Sequence, residues 1–195
     1  GAAMLLHSPV ARFQAFYRTA LFAPVVTTLV AVAVVWRYLF HTRYGFLNYA
    51  LAGLGMEPID WLGDPTWAMP SIVLLSVWKN FGYNMVILLA GLQMIPKSLY
   101  EAAEVDGASK WQQFWQITIP MLMPSIIVAL IFRTITALQT FDIPYTMTKG
   151  GPGHATQTLA MLIHATTIDY LDLGYGSTLA VCMFVMSLAV TAVYL

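Results

Sequence analysis

The chain alternates between long apolar runs and shorter polar connections. The apolar runs cover about residues 21–40, 68–94, 121–140 and 176–195. About 20 apolar residues in a helix suffice to cross a hydrocarbon core of roughly 30 Å. The pattern therefore predicts about four membrane-spanning helices. The last run has no flanking charge and the chain does not start with Met, so we expect a piece of a longer subunit.

The composition supports a membrane class. Hydrophobic residues make up 59% of the chain and charged residues only 9%, whereas a soluble domain carries about 25% charged residues. The net charge is zero, which gives no basic field for nucleic acid. The predicted fold is all-α, a polytopic transmembrane helical bundle forming a single domain over residues 1–195.

A polar island at residues 97–116 separates the second and third runs. Pro96 can open a helix because it needs no amide donor, and Gly107 can close one in the left-handed conformation. We therefore expect a helix of about three turns outside the membrane. Its small side chains would allow close approach of another protein, and its acidic side chains can pair with arginine or lysine. These residues are Glu101, Ala102, Ala103, Glu104 and Asp106.

Two cations lie near the middle of predicted spans, Lys79 in the second and Arg133 in the third. A charge at the bilayer centre costs about 2.5–3.5 kcal/mol even on lenient scales, and no acidic residue lies at the same depth. The cations are therefore expected to face a water-filled path or a partner. The polar residues expected to line such a path are Lys79, Asn80, Tyr83, Asn84, Arg133, Thr136, Gln139 and Thr140.

A structural alternative stays open for these residues. Lys79 and Arg133 could pair with a span or permease outside this sequence, or extend to the interface. Asn, Gln and Thr in spans often only hold helices together.

Neither a metal site nor a nucleotide site is expected. His7, His41, His154 and His164 are too widely spaced for ligand-type spacing. The glycine-rich stretch at 150–153 is not followed by Lys-Ser or Lys-Thr, and no Walker motif occurs elsewhere. The chain should therefore need no cofactor and should not hydrolyse ATP, so we do not expect an enzyme.

The polar island carries a family resemblance. Glu101-Ala102-Ala103, then Gly107, then Ile117-Thr118-Ile119-Pro120 resembles the EAA loop of membrane subunits of ABC importers. Trp78-Lys79-Asn80 is similar to the carbohydrate-uptake, maltose permease-like branch. The resemblance implies the type I permease fold, with residues 97–116 as a cytoplasmic coupling-helix region. The residues that it implies contact the ATPase are Glu101, Ala102, Ala103, Asp106 and Gly107.

The resemblance also implies a function. It is that of a permease subunit of an ATP-driven importer, which moves a sugar, oligosaccharide or glycerol-phosphate-like solute by alternating access. The implied partners are a second permease subunit, two ATP-binding subunits and an extracytoplasmic solute-binding protein, in a bacterial or archaeal cytoplasmic membrane. The connections at 41–67 and 141–175 would then face outward. The alternative is a secondary transporter or channel without ATPases, in which residues 97–116 are only a loop.

The same resemblance suggests substrate contacts. The matching positions are Lys79, Asn80 and Tyr83 in the second span, and Arg133 and Ala137 in the third. The chain departs from the maltose permease pattern because Lys and Arg replace uncharged residues there. The charges suit a phosphorylated or acidic ligand, or a sugar bound by many donors.

Overall fold

The computed structural model describes residues 14–194. Within that range the regular structure is helical, without strands, which confirms the all-α prediction. The α-helices are α1 (Gln14–Val26), α2 (Leu29–Leu39), α3 (Phe46–Gly53), α4 (Pro65–Gln93), α5 (Lys97–Val105), α6 (Lys110–Gln113), α7 (Ile119–Leu138), α8 (Asp142–Thr148), α9 (Leu159–His164) and α10 (Leu173–Tyr194). Two π-helical segments, Phe114–Thr118 and Ala165–Asp169, follow α6 and α9 directly.

Three helices of the described chain are long and apolar enough to cross a membrane: Pro65–Gln93, Lys110–Leu138 and Leu173–Tyr194. Helices α1 and α2, which are separated by residues 27 and 28, add a fourth candidate if they count as one bent span. This confirms a polytopic helical protein. The candidate Lys110–Leu138, which corresponds to the third predicted span, begins earlier than the expected residue 121, so part of the 97–116 island belongs to this helix.

The first apolar run differs from the expected single helix over 21–40. α1 ends at Val26 and α2 begins at Leu29, with a break at Thr27 and Thr28. Thr28 has an extended backbone, with φ −65° and ψ 134°. An extended residue interrupts the helical hydrogen-bond ladder, so the Thr27 carbonyl oxygen lies outside it. Hydropathy alone does not detect such a break, because the composition on both sides is equally apolar.

The described chain divides into two compact units, whose boundaries fall inside α4 and α7. The first unit contains residues up to 25 and residues 80–133. Its buried apolar core comes from one face of α4, from the connection that follows it and from α7: Met85, Leu89, Leu92, Ile95 and Leu122. A Cβ on Gly91 would lie 2.3 Å from the Ser125 hydroxyl oxygen, so only glycine permits this approach of α4 and α7.

The second unit contains residues 26–79 and the chain from residue 134 onward. Its buried core comprises Ala33, Phe40, Ile72, Leu75, Ile143 and Met147. The connection at 41–67 is organised around Asn48, which is 5% exposed. The Asn48 amide nitrogen donates to the Thr42 and Ile59 carbonyl oxygens at 2.9 and 2.8 Å. Its amide oxygen accepts from the Ile59 backbone N–H and the Trp61 indole N–H at 3.1 and 2.9 Å.

Candidate functional site

Helix α5 has defined ends. Pro96 precedes the first helical residue with φ −62°, and Gly107 follows the last turn with φ +77°. The Gly107 backbone N–H donates to the Glu104 carbonyl at 3.1 Å, and the Ala108 N–H donates to the Ala103 carbonyl at 2.8 Å. This pair of hydrogen bonds is the Schellman motif, which satisfies carbonyls that the helix end would otherwise leave unpaired. The helix is therefore a short, well-terminated body, as the positions of Pro96 and Gly107 predicted.

Most of α5 is exposed. None of its residues is buried, and only Tyr100 and Ala103 are partly covered. Four of the five residues predicted to contact an ATPase are exposed: Glu101, Ala102, Asp106 and Gly107. Ala103 is turned partly inward, so its small side chain serves packing within the unit. Their contact with an ATPase stays a prediction.

An ion pair links α5 to α6. The Lys110 ammonium donates to Glu104 Oε1. This hydrogen bond, together with the attraction of the positive charge, lowers the pKa of the Glu104 carboxyl below its ordinary value. Ser109 caps α6 through a reciprocal pair, since its backbone N–H donates to Gln112 Oε1 at 2.8 Å and its hydroxyl accepts from the Gln112 N–H at 3.3 Å. These contacts fix the turn between α5 and α6 on the exposed side of α5.

The inner side of α5 carries contacts that the sequence did not reveal. The Tyr100 hydroxyl lies 2.9 Å from the Thr118 hydroxyl, and Thr118 is 4% exposed. Gln113 is also 4% exposed, and its amide nitrogen donates to the Ala108 carbonyl at 3.4 Å. The available signals were the tyrosine before Glu-Ala-Ala and the threonine between Ile117 and Ile119. Tyrosine and threonine are both common in apolar segments, so the sequence did not indicate that these two side chains would be in contact.

The Lys79 side chain is 7% exposed and lies in the second unit. Its ammonium donates to the Thr27 carbonyl at 2.5 Å and lies 3.4 Å from the Thr27 hydroxyl. The carbonyl is the one that the helix break leaves outside the ladder. Lys79 therefore stabilises the break, a role that sequence reasoning missed because the break itself was not predicted.

The other predicted pathway residues are divided between the units. Asn80, Tyr83, Asn84 and Arg133 belong to the first unit, and Thr136, Ala137, Gln139 and Thr140 to the second. In the first unit the Asn84 amide donates to the Asn80 carbonyl at 3.1 Å, and Tyr83 is 42% exposed. In the second, the Thr140 hydroxyl donates to the Thr136 carbonyl at 2.9 Å. That these residues line one path stays a prediction.

Metal-ligating side chains do not cluster. Within residues 14–194, no group of three or more His, Cys, Asp or Glu side chains could hold a metal ion. His7 lies outside the described residues.

Comparison with known proteins identifies the family. Residues 2–195 match the family described as the binding-protein-dependent transport system inner membrane component. The chain belongs to this family. The description of the family is that of a transport-system component in the inner membrane, which confirms the prediction of a multi-pass membrane location.

Several relatives are sugar transport permeases by name. The chain is 53% identical over 195 residues to the sulfoquinovosyl glycerol transport system permease protein of Agrobacterium fabrum, covering 100% of this chain and 63% of the relative. It is 45% identical over 170 residues to the trehalose/maltose transport system permease protein of Thermococcus litoralis, covering 87% of this chain and 57% of the relative. The chain thus spans less than two thirds of the length of these relatives.

A solved structure shares the fold. It is a crystal structure of a bacterial ABC transporter involved in the import of the acidic polysaccharide alginate. The TM-score is 0.89 at 22% identity, covering 99% of this chain and 68% of that chain. The likeness confirms the ABC importer permease fold.

Proposed function

We propose that the protein is a permease subunit of an ATP-driven importer that moves a carbohydrate through the membrane by alternating access. The observation that carries the proposal is α5, a rigidly capped and exposed helix between two candidate spans. A partner protein can bind a short exposed helix of this kind, and the helix can then transmit the movement of the partner to the spans on either side. Family membership supports the same reading.

The proposed substrate is a sugar, an oligosaccharide or a related polyol derivative. Support comes from the names of three relatives. Their transport systems are named for sulfoquinovosyl glycerol, for trehalose and maltose, and for lactose. An acidic carbohydrate is favoured within this class because two cations, Lys79 and Arg133, lie inside candidate spans. A glycerol-phosphate-like solute fits the same charge argument.

Polar span residues supply the proposed substrate contacts. Tyr83 is exposed on α4, and Arg133 is partly covered on α7. Amide and guanidinium groups in a low-dielectric site bind sugar hydroxyls or acidic groups strongly. The proposed lining set is Lys79, Asn80, Tyr83, Asn84, Arg133, Thr136, Ala137 and Gln139. Lys79 contributes from a buried position, where it also holds the Thr27 carbonyl.

The proposed assembly has four kinds of subunit. ATP-binding subunits would contact the exposed side of α5, where Glu101 offers a carboxylate to a basic side chain. A second permease would complete the transmembrane part. A solute-binding protein would dock on the connections at 41–67 and 141–175; the solved alginate transporter has also been crystallised in complex with a substrate-bound periplasmic protein. Alternating access then follows from ATP-driven movement of α5 that rocks the spans.

The test uses the full-length subunit assembled with its cognate partners in proteoliposomes. Glu101→Ala is expected to weaken retention of the ATP-binding subunits and to reduce ATP-dependent uptake at least tenfold, by losing a charge-assisted contact worth about 1.5–3 kcal/mol. Glu57→Ala is the matched control for retention of the ATP-binding subunits, because Glu57 is exposed in the 41–67 connection and not on α5. Normal association and uptake with Glu101→Ala, or uptake that does not require ATP, would instead favour a secondary transporter or channel.

A further inference from the structure

Helix α5 is attached to its unit by a narrow inner face. Of its nine residues, only Tyr100 and Ala103 are partly covered. Ala103 has no polar side-chain group. Within the described chain, Tyr100 is therefore the residue through which the covered face of α5 makes a side-chain hydrogen bond.

Tyr100 combines apolar packing with a directional contact. Its ring packs against the core cluster of the first unit, which includes Leu89, Leu92 and Leu122. Its hydroxyl lies 2.9 Å from the hydroxyl of Thr118. Thr118 is 4% exposed and ends the π-helical segment at the start of the third candidate span. A hydrogen bond in such a water-poor setting is electrostatically stronger than one at the surface.

The Thr118 hydroxyl has a second neighbour. It lies 3.4 Å from the Gln113 carbonyl oxygen, to which it can donate. A hydroxyl both donates and accepts, so either hydroxyl can be the donor in the pair of Tyr100 and Thr118. The buried Gln113 side chain in turn donates to the Ala108 carbonyl, just beyond the α5 cap. Both the middle of α5 and its C-terminal cap are thus tied to the same segment, residues 113–118.

We propose that the hydrogen bond between Tyr100 and Thr118 is the contact through which movement of α5 reaches the third span. The inference rests on the proposed function, in which ATP-binding subunits move α5. Apolar contacts of the Tyr100 ring permit sliding because dispersion has little directionality. A hydrogen bond weakens steeply with angle, so it resists sliding and transmits rotation. Tyr100 is a positioning residue in this scheme and touches no substrate.

The experiment compares transport per ATP in the complete transporter in proteoliposomes. Tyr100→Phe keeps the ring and removes the hydroxyl. Uptake per ATP hydrolysed is expected to fall about three- to tenfold, the range given by the loss of one hydrogen bond of typical strength. Retention of the ATP-binding subunits should not change. Tyr17→Phe is the matched control, because Tyr17 is 50% exposed on α1 and lies outside the connections proposed to dock other subunits.

Variants of Thr118 sharpen the test. Thr118→Val removes the hydroxyl that pairs with Tyr100 and should lower the coupling ratio to the same extent, whereas Thr118→Ser keeps a hydroxyl and should recover most of it. The double variant Tyr100→Phe with Thr118→Val should be no worse than either single variant, since both remove one shared interaction.

Each other outcome overturns the inference. Unchanged coupling in Tyr100→Phe, or additive losses in the double variant, would show that the bond does not transmit motion. Failure of Tyr100→Phe to assemble would show that the hydroxyl holds the complex together instead. The proposed function fails separately, when the unmodified transporter itself shows no ATP-dependent uptake.

Discussion

Two polar connections of this chain, residues 41–67 and 97–108, are held in opposite ways. In the first, one buried amide at the centre makes four hydrogen bonds, so the loop is organised from inside around Asn48. In the second, a helix exposes most of its residues and is attached through Tyr100 and its C-terminal cap. Hydrogen bonds to a buried residue hold the first connection from inside, whereas a few contacts at the edge of a helix hold the second.

The difference separates a surface that keeps its shape from a body that can move. A segment fixed by a buried polar hub resists deformation, because every displacement breaks several hydrogen bonds at once. A short capped helix with few attachments can shift as a unit while its own ladder stays intact. The proposed function requires this mechanical contrast, between a surface on which a binding protein docks and a helix that ATP-binding subunits move.

The largest effect is expected from replacing Asn48, the buried residue around which the 41–67 connection is organised. Asn48→Ala should lower the free energy of unfolding by about 3 kcal/mol, because each buried donor or acceptor left unpaired costs on the order of 1–3 kcal/mol. Unfolding of the purified protein in detergent measures this change. Glu57→Ala, in the same connection, should have little effect. A change below about 0.5 kcal/mol for Asn48→Ala, typical of surface substitutions, would contradict the contrast.

An intermediate effect is expected at the α5 cap. Gly107 has φ +77°, a conformation that costs an L-residue about 1–2 kcal/mol. Gly107→Ala should therefore loosen the last turn of α5, seen as faster amide hydrogen exchange over residues 103–108, with a several-fold loss of ATP-dependent uptake.

The matched control for the cap is Gly53→Ala at the end of α3. A Cβ on Gly53 meets nothing within 4 Å. The added methyl should leave amide hydrogen exchange over residues 103–108 unchanged. Equal effects of the two substitutions would show that the cap conformation of α5 is not what matters.

The smallest effect is expected from the exposed ion pair. Lys110→Gln should raise the pKa of Glu104 toward its ordinary value, because the hydrogen bond and charge that lower it are removed. The lowered pKa means that the pair contributes stability above the unfolded-state pKa of Glu104 and loses it as the pH falls through the folded-state value. Carboxyl NMR titration of Glu104 measures the shift, with Lys97→Gln as control. An unshifted Glu104 in Lys110→Gln would show that Lys110 does not set its pKa.

The sequence was informative wherever structure follows from local chemistry. Apolar length predicted the candidate spans, Gly107 predicted the left-handed cap, and the polar character of residues 101–106 predicted an exposed surface. Each of these depends on residue type and spacing within a few turns of one helix.

The sequence was uninformative wherever structure follows from distant partners. The break at Thr27 and Thr28 lies inside an evenly apolar run, so hydropathy does not mark it. Its partner, Lys79, is 52 residues away, and the sequence indicated only that a buried cation needs a polar neighbour. Likewise, nothing local distinguishes Gln113 and Thr118 from other polar residues until the fold brings them to Ala108 and Tyr100.

The π-helical turn at Phe114–Thr118 bears on how this family can vary in length. A π-turn accommodates one residue more than an α-turn would in the same rise. Deleting one residue there would restore a continuous α-ladder rather than sever the helix. Because the extra residue is absorbed within one turn, the span beyond it would keep the same side toward its surroundings, so this turn can lose one residue without rotating the span.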